Sequence, residues 1–224
     1  MTPQTQQNHR GASIISSLVI AFASSACVQT NSGSGSETLY TICNVDARAD
    51  NTQLSVSLTN RGNSVIGANV VVIDRTTERS LNLEGGQRSD GYRYEGVFSG
   101  YAQIIQLKIT SGEDQLEAQL VGPSKHELTR PPNDSIVRRG SFDSLTVDWE
   151  ADDSADRVRI RVDNGNPVTL EEDEFTADIP ISDIQNGAHV IEVERENEVD
   201  LAGGASGSIM RIRYKVDNRF TIEG

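Results

Sequence analysis

The sequence alternates polar and apolar residues over many short runs, and this two-residue period constrains the fold more than any other feature. Residues 53–58 (QLSVSL), 145–149 (LTVDW) and 157–162 (RVRIRV) alternate strictly, as half-buried β-strands do. No run of ten or more residues has a convincing helical period. The pattern therefore predicts an all-β protein.

Turn residues separate the predicted strands at close spacing. Short stretches such as EGG at 84–86, SDG at 89–91, SGED at 111–114 and DNG at 163–165 have the chemistry of turns. About seven short strands with such turns are what a small antiparallel β-sandwich requires. The remaining predicted strands cover residues 68–73, 79–83, 92–98, 104–109, 115–121, 175–181, 189–193, 209–216 and 219–222.

A proline-rich stretch interrupts this rhythm and divides the chain. Residues 122–134 (GPSKHELTRPPND) hold three of the six prolines, which are typical of boundaries and edge strands. We therefore predict two small antiparallel sandwiches in tandem, at residues 38–122 and 135–224. The hinge between them, at 123–134, would leave His126 solvated.

The second half has features of a known architecture. Residues 128–222 open with a proline-broken strand, carry the single tryptophan, Trp149, on the strand 145–149, and continue with an alternating strand. In these features they resemble bacterial immunoglobulin-like or fibronectin-III-like modules. The resemblance implies a sandwich with Trp149 in its core. It implies no particular function, because such modules occur in adhesins, enzymes and scaffolds alike.

The N-terminus has the features of an export signal. Residues 1–10 are polar and end in Arg10, and residues 11–23 are small and apolar. This apolar run is too short for a membrane-spanning helix, which needs about 20 residues. Residues 1–26 are therefore predicted to be a secretory signal peptide.

The residues that follow resemble the lipobox of bacterial lipoproteins. Ser25, Ala26 and Cys27 match its pattern, whereas Ser24 stands where the family usually has leucine. The resemblance implies a diacylated Cys27 as the mature N-terminus, and Val28 in place of aspartate implies the outer membrane of a Gram-negative cell. The acyl chains would supply stable anchoring, and the Ser/Gly-rich residues up to position 37 would form a flexible tether.

Ordinary cleavage after Ala26 is the alternative. It would release a soluble secreted or periplasmic protein in which Cys27 and Cys43 could form a disulfide. If Cys27 carries lipid instead, Cys43 is left unpaired. Cys43 alternates with Leu39 and Thr41 on a predicted strand, so we expect a buried, inert thiol.

The net charge and the missing motifs argue against several functions without indicating a particular one. A net charge of -13 disfavours nucleic acid and anionic headgroups as partners. The chain has no Gly-x-Ser-x-Gly or Ser-x-x-Lys motif, and its histidines have no zinc-ligand spacing. We therefore expect no catalytic residues, metal or cofactor. The acidic loops at 150–156 and 171–174 leave calcium open, although neither fits the EF-hand spacing.

Tyr92 and Tyr94 share one face of a predicted strand and are the best candidates for a ligand patch, although such strips more often pack in a core. The sequence therefore predicts a membrane-anchored, non-enzymatic binding or structural module of the cell envelope. An unknown envelope protein or surface ligand would be its partner. The alternative function is a soluble sandwich protein that binds carbohydrate or a calcium-dependent ligand.

Overall fold

The computed structural model describes residues 31–35, 37–140, 144–182 and 184–224, and every helix or strand in this part is a β-strand. The first ten strands are β1 (Asn31–Ser34), β2 (Leu39–Ala47), β3 (Asn51–Asn60), β4 (Asn63–Ser64), β5 (Asn69–Asp74), β6 (Arg79–Asn82), β7 (Glu84–Arg88), β8 (Gly91–Ser99), β9 (Ile104–Ser111) and β10 (Asp114–Val121). The remaining strands are β11 (His126–Arg130), β12 (Ser135–Arg138), β13 (Ser144–Ala151), β14 (Arg157–Val162), β15 (Val168–Leu170), β16 (Thr176–Pro180), β17 (Gly187–Asp200) and β18 (Ile209–Glu223).

The first sandwich encloses one of two hydrophobic cores. A five-stranded sheet in the order β1-β10-β9-β5-β6 lies over the part of the large sheet that contains β2, β3 and β8. The alternation in β2, β3 and β9 places every second side chain in the core between them. The core includes Val45, Val56, Val72, Leu107 and Leu120.

The second sandwich has the strand order of an immunoglobulin-like domain. One sheet runs β11-β13-β16, and the facing sheet runs β15-β14-β17-β18 with β12 beside β18. This order corresponds to strands A-B-E against C′-C-F-G-A′. Trp149 on β13 is 2% exposed, so its predicted place in the core is confirmed. The prediction of an all-β pair of sandwiches, the second immunoglobulin-like, is confirmed as well.

The sequence pattern led us to expect antiparallel strand pairs throughout, but two of the pairs in the described residues are parallel. Among the described strands, β18 pairs in parallel with β2, through residues such as Ile209 beside Ile42. It also pairs in parallel with β12, with Ser135 beside Phe220. Parallel pairs join strands that are distant in sequence, so alternation within each strand could not reveal them.

The hairpin of β17 and β18 runs through both sandwiches. The two strands pair over their whole lengths, from Gly187 beside Ile222 to Asp200 beside Ile209. Residues near one end, including Ile191 and Phe220, pack in the second core. Residues near the other end, including Leu201, Met210 and Ile212, complete the first core. The first core therefore contains side chains from the segment 135–224 that we assigned to the second domain, and the two strands predicted at 209–222 form one strand.

The segment predicted to be a hinge is packed at its start. Gly122, Pro123 and Ser124 are buried. A Cβ atom on Gly122 would lie 2.5 Å from Cγ2 of Ile212 and 2.6 Å from the hydroxyl oxygen of Tyr101. Contacts this short leave no room for a side chain at position 122, so the start of the linker is packed tightly against the first core.

Two further segments differ from the local prediction. The EGG turn expected at 84–86 lies within strand β7, where Gly85 leaves space for Tyr92, whose hydroxyl oxygen would be 2.4 Å from an added Cβ. Residues 31–34, expected in the flexible tether, form strand β1 along β10. By contrast, the turns at 89–91 and 111–114 are confirmed as hairpin turns.

Candidate functional site

The inner face of β17 carries one buried arginine between the two cores. Val193 packs in the second core and Val199 against the first, and Arg195 lies between them with 0% exposure. Its Nε donates a hydrogen bond to Oδ2 of Asp173 at 2.7 Å, and Nη1 donates to the Ser124 carbonyl at 3.0 Å. Nη2 donates to the carbonyl of Asp153. Arg195 therefore ties β17 to the linker and to two loops of the second sandwich.

Asp173 is the buried anion that matches Arg195. It lies in the loop between β15 and β16, and its side chain is 0% exposed. Its Oδ1 accepts a hydrogen bond from Nε1 of Trp149 at 3.0 Å, and its Oδ2 accepts one from the backbone N of Ala155 at 3.0 Å. Both carboxylate oxygens thus have donors, as a buried charge requires.

The two acidic loops for which the sequence left calcium binding undecided meet around the guanidinium group of Arg195. Asp153 comes from the loop 150–156, and Asp173 comes from the loop 171–174. Within the part of the chain that the structure describes, no group of three or more His, Cys, Asp or Glu side chains could hold a metal ion. The arrangement serves the junction between the sandwiches.

Ser124 closes the same cluster from the linker side. Its hydroxyl donates to Oδ1 of Asp153 at 2.7 Å, and its backbone N donates to the same oxygen at 3.0 Å. The backbone N atoms of Asp152 and Asp153 donate back to the hydroxyl at 3.2 and 3.3 Å. These reciprocal bonds fix the linker against the loop that follows β13.

His126 is buried at the junction, and the prediction that it is solvated is wrong. It is 3% exposed, its Nε2 donates to the Val193 carbonyl at 3.1 Å, and its ring lies edge-on to Tyr214 at 5.5 Å. Its Nδ1 has no hydrogen-bond partner among the described residues. Burial and the nearby positive charge of Arg195 lower the pKa of His126 to about 4, so the ring is neutral at neutral pH.

Two tyrosines complete the packing of the junction. The rings of Tyr101 and Tyr214 lie 4.5 Å apart, and the Tyr101 hydroxyl donates to the Pro123 carbonyl at 2.5 Å. Burial, together with the negative charge of Asp153, raises the pKa of Tyr101. The junction therefore joins the two apolar cores through a layer of polar groups, most of which have partners.

The outer face of the large sheet carries alternating rows of cations and anions. Glu196 on β17 is the centre of this network, and its side chain is only 1% exposed. It accepts hydrogen bonds from Arg157 at 3.0 Å, Arg159 at 2.9 Å and Arg213 at 2.7 Å. Partial burial opposes the ionisation of Glu196, but the bonds from Arg213 and Arg159 outweigh it and lower its pKa.

The same network crosses from one sandwich to the other. Arg48, which follows β2, lies 2.6 Å from Glu192 on β17. Lys215 on β18 lies 3.0 Å from both Asp46 on β2 and Glu194 on β17. These cations have carboxylate partners, so the face is internally neutralised and differs from an anion-binding patch, in which cations lack such partners.

An apolar groove opens beside the edge strand β12. Ile136 is 59% exposed there, and Pro131, Val137 and Leu145 line the same opening, with Arg130 at its edge. The groove has a volume of about 440 Å³. It is therefore a partly apolar surface on an otherwise strongly charged body.

The residues predicted to form a ligand patch belong largely to the first core. Tyr94 is 3% exposed, and its hydroxyl accepts from the N of Ala68 at 2.9 Å and donates to the Val65 carbonyl at 3.1 Å. Tyr92 is half-buried and lies edge-on to Tyr94 at 5.4 Å. The ring of Tyr94 is therefore not available to a ligand at the surface.

The two cysteines have different outcomes. Cys27, the predicted lipidation site, lies outside the described residues. Cys43 is a free cysteine with 0% exposure, and burial raises the pKa of its thiol to about 12. The expected burial of Cys43 is confirmed, and the raised pKa disfavours the thiolate, which is the reactive species.

Sequence reasoning missed the junction cluster, although a signal for part of it was present. Val193 sits on the inner face of its strand, and residue 195 is in phase with it. A charged residue at an inward position requires a buried partner. The partner itself, Asp173, could not be identified because nothing local links residues 173 and 195.

The part of the chain that the structure describes contains no helix with the length and apolar character needed to cross a membrane.

Comparison with solved structures finds matching chains, and the one described here is a weak structural neighbour. No protein-family model matches the chain, and no curated protein matches it. One solved structure that matches is the extracellular domain of a protein assigned as a one-component system, BT4673 from B. thetaiotaomicron. It shares 10% identity with a TM-score of 0.27, over 76% of this chain and 36% of that one. The chain thus spans about a third of that neighbour, and a similarity this low carries no argument about function.

Proposed function

We propose that this chain is an exported lipoprotein, anchored in a bacterial outer membrane through a diacylated Cys27. In this proposal its two-sandwich body is a non-enzymatic binding or structural module of the cell envelope. The partner is an envelope protein or a surface ligand. The anchor rests on the resemblance of Ser25, Ala26 and Cys27 to a lipobox.

One structural observation supports the proposal for the body: the two sandwiches share the long β17–β18 hairpin and meet in a packed junction. The linker and both strands of the β17–β18 hairpin cross from one core to the other. At the crossing, Arg195 bonds to Asp173 and Ser124. Bending at the junction would separate Arg195 from the linker and from the loops that it contacts, and a charge that stays buried without its partner is costly. A stiff body of this kind holds a binding surface at a fixed position relative to its anchor.

The anchor is tested by mass spectrometry of the mature protein from intact cells. We expect an acylated Cys27 in the wild type and release of the Cys27→Ala variant from the membrane fraction. Cys43→Ala is the matched control, and it should stay with the membrane because Cys43 is buried. An unmodified Cys27 joined to Cys43 would overturn the lipoprotein proposal in favour of a soluble exported protein.

The binding role is tested by cross-linking in the intact envelope. Wild-type protein should capture a defined envelope component, and Cys27→Ala should lose it because the body is no longer held at the membrane. Capture of the same component at the same yield by both forms would contradict the need for an anchor. Absence of any specific component in the wild type would contradict a binding role.

The rigidity is tested by measuring the distance between spin labels placed on exposed residues of the two sandwiches, Ser80 and Gly165. A single narrow distance distribution is expected, and it should broaden when Arg195 is replaced by methionine. A broad distribution in the wild type would rule out a fixed junction.

A further inference from the structure

The residues just after the predicted anchor are docked onto the body. Strand β1, which we call the N-terminal arm (Asn31–Ser34), pairs antiparallel with β10, with Asn31 beside Ala118 and Ser34 beside Gln115. The Asn31 side chain donates to the Asp200 carbonyl and accepts from the N of Ala202 at 2.8 Å. The arm is therefore bonded both to β10 and to the loop between β17 and β18.

The fit of the arm against that loop depends on glycine. A Cβ atom on Gly33 would lie 2.4 Å from the carbonyl oxygen of Ala202 and 2.7 Å from Cα of Gly203. Both contacts are with backbone, which cannot turn aside as a side chain does. Any larger residue at position 33 would thus push the arm off the loop.

The docked arm shortens the chain between the anchor and the body. Only residues 28–30 separate Cys27 from Asn31, and four Cα steps reach at most about 14 Å. If the arm were undocked, the chain from Cys27 would be free up to Leu39, and twelve such steps would reach about 40 Å. The arm therefore decides whether the body is held close to the bilayer or allowed to move away.

We infer that the docked arm holds one particular edge of the first sandwich, formed by the arm and the loop at residues 201–208, against the bilayer surface. The inference rests on the lipid anchor at Cys27 in the proposed function. The lipid partner is a zwitterionic headgroup surface. The edge lies against the bilayer because the short chain from Cys27 keeps Asn31 within about 14 Å of the point where the acyl chains enter the bilayer.

The chemistry of this edge fits that partner. Residues 31–35 and 201–208 contain no charged side chain, whereas the chain as a whole carries a net charge of -13. Bringing the charged faces of the body to a membrane would require removing water from many ionised groups. The edge has acidic side chains only at its margins, at Asp114 beside Gly35 and at Asp200 before the loop, so that cost is reduced. Residues 31–35 and 201–208 have no cations that would select anionic lipids.

The test uses the acylated full-length chain in phosphatidylcholine vesicles whose headgroups carry a nitroxide quencher. A fluorophore is placed at Ser206→Cys in the loop or, in a second protein, at Ser80→Cys on β6. Both positions are exposed, and buried Cys43 does not compete for the label. β6 is four strands from β1 in the same sheet, or roughly 19 Å away. We expect strong quenching at position 206 and little at position 80.

Undocking the arm should remove this difference. Gly33→Val should reduce the quenching at position 206 to that at position 80. It should lower the thermal unfolding midpoint only slightly, because β1 is exposed along its whole length and the arm covers Leu116 at the margin of the core. Asn31→Ala, which removes two hydrogen bonds and adds no clash, should cause a partial loss.

Mass spectrometry of the same samples distinguishes a failure of the proposed anchor from a failure of this inference alone. An unmodified Cys27 would overturn the proposed anchor and this inference with it. With an acylated Cys27, equal quenching at positions 206 and 80, or quenching that neither arm variant changes, would overturn the inference alone and leave the lipoprotein proposal intact.

Discussion

The Nε of Arg195 lies 2.7 Å from Oδ2 of Asp173, and both side chains are fully buried where the two sandwiches meet. Such a pair contributes less to stability than its distance implies, because both charges lose their water. Breaking it is nevertheless expensive, because the remaining charge has no partner. The pair therefore holds β17 against the loop between β15 and β16 at the junction.

Replacement of Arg195 by methionine should destabilise the protein strongly. Methionine replaces the aliphatic stem of arginine but leaves the Asp173 carboxylate buried without its cation, and such changes cost about 3–5 kcal/mol. Urea unfolding at neutral pH measures the loss. Arg161→Met is the control, because its side chain is 43% exposed in an ion pair with Glu192 and should cost under about 1 kcal/mol. Equal losses for the two variants would show that the buried pair has no special role.

His126 should make stability fall as the pH is lowered. Its pKa is about 4 in the folded protein against an ordinary 6.5, so between these values the unfolded chain binds a proton that the folded protein does not. The free energy of unfolding is therefore highest above pH 6.5 and falls towards pH 4. His126→Gln should remove about 2–3 kcal/mol of this fall between pH 7.5 and 4.5. Unfolding curves at both pH values provide the measurement.

His189 serves as a control, because its effect on the pH dependence of stability should be opposite to that of His126. Burial opposes its protonation, but hydrogen bonds with Asp163 and the Gln185 carbonyl outweigh burial and raise its pKa. Its contribution is full below pH 6.5 and is lost as the pH rises through the folded pKa. Wild type should therefore exceed His189→Gln in stability more at pH 5 than at pH 9. The same pH response in both histidine variants would refute the assignment.

Glu196 should matter far more than other carboxylates of the charged face. It is the shared acceptor for Arg157, Arg159 and Arg213, so Glu196→Gln leaves three guanidinium groups close together without their common anion. We expect a loss of about 1–3 kcal/mol. Glu171→Gln removes a carboxylate that is 74% exposed and should cost under about 0.5 kcal/mol. Chemical denaturation of both variants tests the contrast, and a smaller loss for Glu196→Gln would contradict it.

Cys43 should react with thiol reagents only when the first sandwich opens. In a Cys27→Ala background at pH 8, its buried thiol with a pKa of about 12 should be labelled at a rate that rises in parallel with the unfolded fraction in urea. An exposed cysteine introduced at Ser80 should react at once under native conditions. Rapid labelling of Cys43 without denaturant would show that the core around it opens locally.

The comparison of sequence and structure is clearest at particular strands. Alternation in residues 53–58 and 157–162 correctly predicted the strands β3 and β14, because a strand with one buried face places every second side chain in the core. The same pattern could not place β18 beside β2, which are more than 160 residues apart and pair in parallel. The turn residues at 111–114 correctly predicted a hairpin turn. The turn predicted at 84–86 was wrong, because Gly85 lies in strand β7 and its small size makes room for Tyr92.

The sequence by itself determined the all-β class and the burial of Trp149 and Cys43, because each follows from a period within one strand. The immunoglobulin-like second half was expected from the resemblance of residues 128–222 to such modules. Only the tertiary structure decided that Arg195 meets Asp173, that His126 is buried, and that the arm at Asn31 docks beside Asp200. These contacts join segments far apart in the chain. They are chosen by which arrangement buries both cores while leaving each buried charge a partner, and that is a property of the whole fold.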